Sequence, residues 1–192
     1  MIYYIVYFLT KAVSWLFFPF TAYNTRRIPR RGGFILASNH TSYLDPVLLG
    51  ICSVRRLNFM AKMELFKGAL GFVLTRLGAF PVKRGAADLG AMKEALKRLK
   101  NGRVVLIFVE GTRRIGSQPS KAHPGAGFLA IKSGVPVVPV FVKGTDKVMP
   151  PGAKSFKRGR VYATFGEPIV IKDAPTYEEA SRNILDKIYA LA

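Results

Sequence analysis

The sequence is poor in the residues that form disulfides and metal sites. It has one cysteine, Cys52, and two histidines, His40 and His123, among 192 residues. A single cysteine excludes an internal disulfide and any multi-cysteine metal site, and two histidines argue against a histidine-rich zinc site. Because Cys52 ends an apolar stretch, we interpret it as a small buried hydrophobic residue rather than as a nucleophile.

Acidic residues are also scarce. The chain has 11 Asp and Glu against 30 Lys and Arg, a formal net charge of +19, and no acid precedes Asp45. This imbalance predicts an anionic partner, such as lipid headgroups, a phosphorylated substrate, an acidic carrier or nucleic acid. A chain of 192 residues is long enough for one catalytic or binding domain. Because 49% of its residues are hydrophobic, that domain can bury a substantial core.

The first 23 residues do not have the pattern expected of a signal peptide, which has a basic start and a small-residue cleavage site. Lys11 and Pro19 interrupt the roughly 20 apolar residues that a membrane-spanning helix needs. Eight of the first twenty residues are aromatic: Tyr3, Tyr4, Tyr7, Phe8, Trp15, Phe17, Phe18 and Phe20. Tyr and Trp favour the membrane interface, and four arginines follow at 26–31, so we predict one or two helices lying in the interface. The alternatives are a helix buried against the domain and a single tilted span.

From residue 34 onward, strand-like and helix-like segments alternate. This pattern is typical of a single α/β domain with a mostly parallel central sheet flanked by helices. Strands are predicted at 34–38, 78–82, 104–109, 135–142 and 161–165, and helices at 88–100, at 127–133 and after the capping box that starts at Thr176. Two prolines in 135–142 indicate an edge, a bulge or an unusual entry for that strand.

The segment 39–45 joins the first of these strands to a predicted helix. Pro46 suits the first helical position, which makes Asp45 the expected N-cap and leaves His40 in the strand-to-helix loop. On a continuous helix the two side chains would diverge, whereas a loop lets the carboxylate reach the imidazole. A histidine held in one tautomer by an aspartate is a general base near neutral pH. The alternative is a capping aspartate beside a polar loop histidine.

Candidate binding residues follow two other predicted strands. They are Glu110, Gly111, Thr112 and Arg113 after the strand 104–109, and Lys83 and Arg84 after the strand 78–82. Glycine permits close backbone approach, Glu110 and Thr112 can hydrogen-bond hydroxyl groups, and an arginine can bind a phosphate with two donors. Solvated surface charge is the plainer interpretation of each residue, but it explains their shared position at strand ends less well.

Four motifs, in order along the chain, resemble those of the glycerolipid acyltransferase family and, within it, the bacterial 1-acylglycerol-3-phosphate acyltransferases. They are His-x4-Asp at His40 and Asp45, a Gly-x-Phe stretch at 78–80 that leads to Arg84, the segment Phe-Val-Glu-Gly-Thr-Arg-Arg at 108–114, and the strand Val-Pro-Val-Val-Pro-Val at 135–140. The third motif departs from the family pattern twice, because Val109 replaces the usual proline and Arg114 the usual serine. His123 belongs to none of the four motifs.

The resemblance implies an acyltransferase domain at 26–192, preceded by the aromatic membrane-interface helical segment at 1–25. It implies that His40 takes a proton from an acceptor hydroxyl, that Asp45 stabilises the imidazolium, and that the alkoxide attacks a thioester without an acyl-enzyme. Substrate binding falls to Lys83, Arg84, Glu110, Gly111, Thr112 and Arg113. In that set Glu110 would hold the glycerol, Arg84 and Arg113 the phosphate, and backbone amides near Gly111 the oxyanion.

The partners that the resemblance implies are anionic membrane lipids, lysophosphatidate, and acyl-CoA or acyl carrier protein as donor. It implies no cofactor, no metal and no nucleic acid, and a peripheral or monotopic location at the cytoplasmic face of a bacterial membrane. Apolar residues at 65–66 and 70–74 would line an acyl groove or form an ordinary helix core. Two other functions stay open, an acyl-thioesterase and a basic nucleic-acid-binding protein, although no nucleic-acid-binding motif is recognised.

Overall fold

The protein is described by a computed structural model that covers residues 2–83, 88–113, 121–150, 152–153, 155–172 and 174–192. The helices are α1 (Ile2–Phe17), α2 (Asp45–Cys52), α3 (Gly68–Leu77), α4 (Leu89–Lys100), α5 (Gly125–Ser133), α6 (Thr145–Val148) and α7 (Tyr177–Tyr189). The strands are β1 (Phe20–Tyr23), β2 (Phe34–Ser38), β3 (Leu57–Lys62), β4 (Ala79–Val82), β5 (Val104–Phe108), β6 (Val137–Lys143) and β7 (Val161–Phe165).

The strands form one sheet in the order β1-β7-β6-β2-β5-β3-β4. Neighbouring strands are parallel except β6 and β7, which are antiparallel. Successive side chains of a strand point to opposite faces. Accordingly, Phe34 and Leu36 pack with α2 on one face, and Ile35 and Ala37 pack with α4, α5 and α7 on the other. The prediction of an α/β domain with a mostly parallel sheet is confirmed.

Two helices on the second face begin at side-chain caps. The Asp88 carboxylate accepts from the backbone N–H of Ala91 at the start of α4, over 3.0 Å. The Thr176 hydroxyl accepts from the backbone N–H of Glu179 at the start of α7, over 3.1 Å, as the predicted capping box requires. In α7 every fourth residue is buried, at Ala180, Ile184 and Ile188, so one stripe of the helix faces the sheet.

The aromatic N-terminal segment forms one helix and one strand. Helix α1 ends at Phe17, ahead of Pro19, and residues 20–23 form the edge strand β1 beside β7. Within the described residues, none of the helices combines the length and apolarity needed to cross a bilayer. Several large apolar side chains of α1 are exposed: Tyr4, Ile5, Phe8 and Leu9. They occur as two i, i+4 pairs and therefore share one side of the helix.

Strand β6 tolerates a proline in the sheet interior. It lies between β2 and β7, so the edge position considered for it is wrong. The Pro139 carbonyl accepts from the backbone N–H of Gly166, just after β7 ends. The backbone N and O of one strand residue point to the same side of the strand. The N–H that Pro139 lacks would therefore face Gly166, where β7 has already ended.

The order of the strands determines which loops meet. Strand β2 lies between β5 and β6, and all three run in the same direction. The segments that follow their carboxyl ends, which carry His40, Glu110 and Thr145, are therefore neighbours. Ligands of α/β proteins bind at this edge of the sheet.

Candidate active site

His40 and Asp45 form a buried pair in the loop between β2 and α2. The imidazole Nδ1 lies 2.8 Å from Asp45 Oδ2. Asp45 is fully buried, and His40 is 7% exposed. The predicted approach of carboxylate to imidazole is confirmed.

Asp45 Oδ2 also holds the loop that carries the histidine. It accepts from the backbone N–H of Thr41 over 2.7 Å and from that of Ser42 over 2.8 Å. The predicted N-cap position is wrong by one residue, because α2 begins at Asp45 and Leu44 precedes it. The carboxylate turns back into the loop, where three donors converge on one oxygen, rather than capping its own helix.

These contacts determine the tautomer of the imidazole. An ionised carboxylate can only accept hydrogen bonds, so Nδ1 of neutral His40 must carry the proton that faces Asp45. The lone pair then lies on Nε2, which is the basic nitrogen. The ring also stacks on Phe108 at the end of β5, with centroids 3.8 Å apart and planes 15° apart. Its plane and its protonation pattern are thus both set before any substrate arrives.

Hydrogen bonds to the end of β6 and to the segment that follows it support the other side of the loop. The Asn39 side chain donates to the carbonyl of Val142 and accepts from its N–H, each over 2.8 Å. The Ser42 hydroxyl donates to the carbonyl of Met149 over 2.7 Å, and the hydroxyls of Thr41 and Thr145 lie 3.0 Å apart. Asn39 lies in the segment 39–45 and Phe108 opens the third motif, but no role was predicted for either, and Thr145 was missed.

The Glu110 carboxylate is directed at the backbone of the histidine loop. Its Oε2 accepts from the His40 backbone N–H over 2.7 Å. Its Oε1 accepts from the Tyr189 hydroxyl over 2.8 Å. Glu110 is 6% exposed. The residue predicted to hold the glycerol is therefore engaged in fixing the loop that carries the base.

The turn after Glu110 is tight and depends on glycine. Gly111 has φ of 66°, and a Cβ there would lie 2.8 Å from the His123 ring, so this position excludes a side chain on two grounds. The Gly111 N–H donates to Phe108 and the Thr112 N–H to Glu110, both to carbonyls. Both amides thus donate within the turn, and the oxyanion role considered for this stretch stays a prediction. The Gly111 backbone and the Thr112 side chain are exposed.

Val109 uses the N–H group that the family's usual proline lacks. It donates to the Ser38 carbonyl over 3.1 Å, which continues the pairing of β5 with β2 by one bond. This bond extends the ladder towards the loops that carry His40 and Glu110. Arg114, the other departure from the family pattern, lies outside the described residues.

Arg113 lies against the histidine loop. Its guanidinium carbon is 3.4 Å from the centroid of the Tyr43 ring. Stacking on an aromatic face leaves the N–H groups at the guanidinium edge available for a planar anion. Tyr43 was missed at the sequence level, where an aromatic residue beside Asp45 had no distinguishing signal.

Lys83 lies further along the sheet edge. Strand β4 is three positions from β2, roughly 14 Å at the usual spacing between strands. The exposed Lys83 donates its backbone N–H to Asp88 over 2.8 Å. Arg84 lies outside the described residues. Within the described part of the chain, the structure therefore brings together His40, Asp45, Glu110 and Arg113, with Lys83 at a distance.

An apolar groove opens beside α2. Its walls come from α1, α2, β3 and α3: Tyr3, Val6, Tyr7, Thr10, Pro46, Val47, Gly50, Ile51, Leu57, Phe59 and Leu77. Pro46 and Val47 directly follow Asp45, so one end of the groove adjoins the histidine loop. Leu65, Leu70 and Phe72, from the stretches considered for an acyl groove, are exposed elsewhere.

Other reactive groups offer no second centre in the described residues. Those residues contain no cluster of three or more His, Cys, Asp and Glu side chains suited to a metal ion. Burial raises the pKa of the Cys52 thiol, which donates to the Leu48 carbonyl. A thiol with a raised pKa is a poor nucleophile.

Comparisons with known proteins agree on one family. A family model described as acyltransferase matches residues 19–143. The 1-acyl-sn-glycerol-3-phosphate acyltransferase of Bacillus subtilis is 34% identical over 149 residues, which are 77% of this chain and 72% of that protein. The chloroplastic 1-acyl-sn-glycerol-3-phosphate acyltransferase BAT2 of Brassica napus is 31% identical over 78% of this chain but only 44% of its own length. The crystal structure of PlsC, the 1-acyl-sn-glycerophosphate acyltransferase of Thermotoga maritima, superposes with a TM-score of 0.84 at 29% identity, over 99% of this chain and 78% of that one.

Proposed function

Since this chain belongs to the acyltransferase family, we propose that it transfers a fatty acyl group from a thioester to the free hydroxyl of 1-acyl-glycerol-3-phosphate, giving phosphatidate. The observation that carries the proposal is the His40–Asp45 pair, whose geometry supplies a general base beside an arginine and an apolar groove.

The base works through Nε2. It takes the proton of the acceptor hydroxyl while the oxygen attacks the thioester carbonyl, and Asp45 stabilises the imidazolium that forms. Collapse of the tetrahedral intermediate expels the thiolate of the donor, which takes the proton from the His40 imidazolium and returns the base to its neutral form. No protein nucleophile is needed for this direct transfer, and the half-buried, hydrogen-bonded Cys52 thiol is not placed for such a role.

The acceptor is assigned by charge. Arg113, stacked on Tyr43 next to the base, offers paired donors to a phosphate. The proposal keeps Lys83 and Arg84, which follow β4 in the sequence, as further cations for the acceptor, while Gly111 and Thr112 present an exposed turn to the glycerol. Glu110 contributes by holding the His40 backbone.

The remaining parts of the proposal concern the lipid environment. The groove between α1, α2, β3 and α3 accepts an acyl chain, and the exposed apolar side of α1 lies in the headgroup region of an anionic membrane at its cytoplasmic face. The donor is acyl-CoA or acyl carrier protein. Both are acidic and suit a chain of charge +19. The reaction as written requires no cofactor, no metal and no nucleic acid.

The test is acyl transfer on vesicles from a radiolabelled thioester to lysophosphatidate, with acyl-CoA and acyl carrier protein in separate arms. Wild-type protein is expected to form phosphatidate, and His40→Ala to lose activity by at least about 10²-fold, the lower end of what a general base contributes. His123→Ala makes the same change at the other histidine, whose side chain is exposed, and is expected to retain activity.

Each other outcome removes a stated part of the proposal. Free fatty acid formed at the same rate with and without lysophosphatidate would identify a thioesterase. Substantial transfer by folded His40→Ala would exclude His40 as the base. A folded wild-type protein that binds DNA, with a strong salt dependence, and forms no phosphatidate would favour the nucleic-acid-binding alternative.

A further inference from the structure

The last turn of the C-terminal helix reaches the catalytic loop through one hydrogen bond. Tyr189 is the final residue of α7 and donates its hydroxyl to Glu110 Oε1 over 2.8 Å. Its ring packs edge to face on Phe141 of β6, with centroids 5.6 Å apart. Tyr189 is thus held by the sheet while its polar end points at Glu110.

Glu110 connects Tyr189 to the backbone of the proposed base. Its second oxygen, Oε2, accepts from the His40 backbone N–H over 2.7 Å. The rotation of a glutamate carboxylate about its last bond is only weakly constrained by the side chain itself. Donors on both oxygens therefore determine the angle at which Oε2 faces the histidine loop.

We propose that Tyr189 is a positioning residue for acyl transfer: by orienting Glu110 it keeps the His40 backbone, and with it the imidazole, at the place from which Nε2 reaches the acceptor hydroxyl. This inference rests on the proposed function for its kinetic consequence. The family model ends at residue 143, so Tyr189 comes from a part of the chain beyond the matched segment.

The matched variants are Tyr189→Phe and Tyr177→Phe. Both delete one hydroxyl from α7, and both rings make edge-to-face contacts, Tyr177 with Phe128 at 5.3 Å between centroids. Tyr189→Phe is expected to lower kcat by about 3- to 10-fold, the rate equivalent of one hydrogen bond. It should leave the KM for the acceptor close to wild type and lower the melting temperature by only about a few degrees, as expected for one hydrogen bond. Tyr177→Phe should change neither kcat nor KM.

A second readout needs no substrate. The His40 amide proton, which donates to a carboxylate, is expected to resonate at low field in a 15N-labelled sample, and to move upfield in Tyr189→Phe but not in Tyr177→Phe. In a Glu110→Ala background, adding Tyr189→Phe should cause no further shift of this resonance.

Three results would overturn the positioning role: an unmoved His40 resonance in folded Tyr189→Phe, an unchanged kcat, or an acceptor KM that rises while kcat stays constant. The last would place Tyr189 in contact with the substrate. Absence of transfer by the wild-type protein would refute the proposed function instead, and the amide resonance would still decide whether Tyr189 acts on His40 through Glu110.

Discussion

At the scale of single residues, one oxygen of Asp45 organises the catalytic loop. Its Oδ2 accepts from the imidazole and from two backbone N–H groups. Those donors belong to the proposed base and to the two residues that follow it, so the same negative charge shapes the loop and lies beside the imidazole. Within the described residues, the buried Oδ1 has no hydrogen-bond partner. All three charge-assisted hydrogen bonds of this carboxylate are therefore made to the histidine loop.

Arg113 and Tyr43 provide a test of the proposed phosphate site. Removing the guanidinium in Arg113→Ala is expected to raise the KM for lysophosphatidate by about 10- to 100-fold, the equivalent of losing charge-assisted hydrogen bonds. Tyr43→Leu removes only the stacking platform and should raise that KM by about 2- to 5-fold. The measurement is steady-state kinetics with acceptor and donor varied separately.

The control for these variants is Arg182→Ala, which removes one positive charge from the exposed side of α7. It is expected to leave both KM values unchanged. A rise confined to the donor KM in Arg113→Ala would contradict the assignment of this arginine to the acceptor phosphate.

At the scale of elements, Asp88 links the end of β4 to the start of α4. The backbone N–H groups of Lys83 and Ala91 bind different oxygens of its carboxylate and hold the pKa of this group below its usual range. A lowered pKa in the folded state means that the stabilisation is present above the ordinary pKa of about 3.9 and is lost as the pH falls through the lower folded value.

Asp88→Asn is therefore expected to lower the melting temperature at neutral pH, because its amide nitrogen faces one of the two N–H donors. The difference from wild type should shrink below about pH 4 as the native carboxylate is protonated. Thermal unfolding followed by circular dichroism at both pH values measures it. The control is Thr176→Val, which removes the uncharged cap of α7 and should lower the melting temperature by the same amount at both pH values. If the melting-temperature difference of Asp88→Asn is equally independent of pH, the ionised Asp88 carboxylate does not provide the stabilisation.

Local patterns predicted the elements whose signals are local. The continuous apolar runs of β2 and β5, the capping box at Thr176 and the His40–Asp45 loop each occupy a few consecutive residues, and each is confirmed. Strand β1 was missed because its aromatic residues continue the composition of α1. The contact of Tyr189 with Glu110 joins residues 79 positions apart, and it depends on how α7 packs, which no short pattern encodes.

Strand order is likewise absent from local patterns. The ends of β2 and β5 meet because these strands are neighbours, whereas β3, which the sequence analysis did not predict, lies between β5 and β4. That insertion separates Lys83 from His40. The common position of polar residues after strands therefore identified the correct edge of the sheet but not their spacing along it.

At the scale of the whole molecule, the two faces of the sheet differ in what covers them. Helices α1 and α2 cover the face of the sheet on which Phe34 and Leu36 lie. The hydrophobic core on that face includes Phe18, just after α1. The opposite face carries α4, α5 and α7. The apolar groove lies on the α1 side. A protein that takes lipid acceptors through this groove should meet the membrane with the same side, where Phe8 and Leu9 are 64% and 61% exposed.

Vesicle binding by matched surface variants tests that orientation. Phe8→Ser with Leu9→Ser is expected to weaken binding to phosphatidylglycerol vesicles by about 10²-fold or more, because each large apolar side chain buried in lipid contributes about 1.5–3 kcal/mol. Leu89→Ser changes a side chain that is 66% exposed on α4, at the opposite face, and should have no effect. Binding of all proteins should fall as salt rises, since the net charge of +19 is screened. Equal losses from the two sites, or unchanged flotation of the double variant, would rule out α1 as the membrane-facing helix.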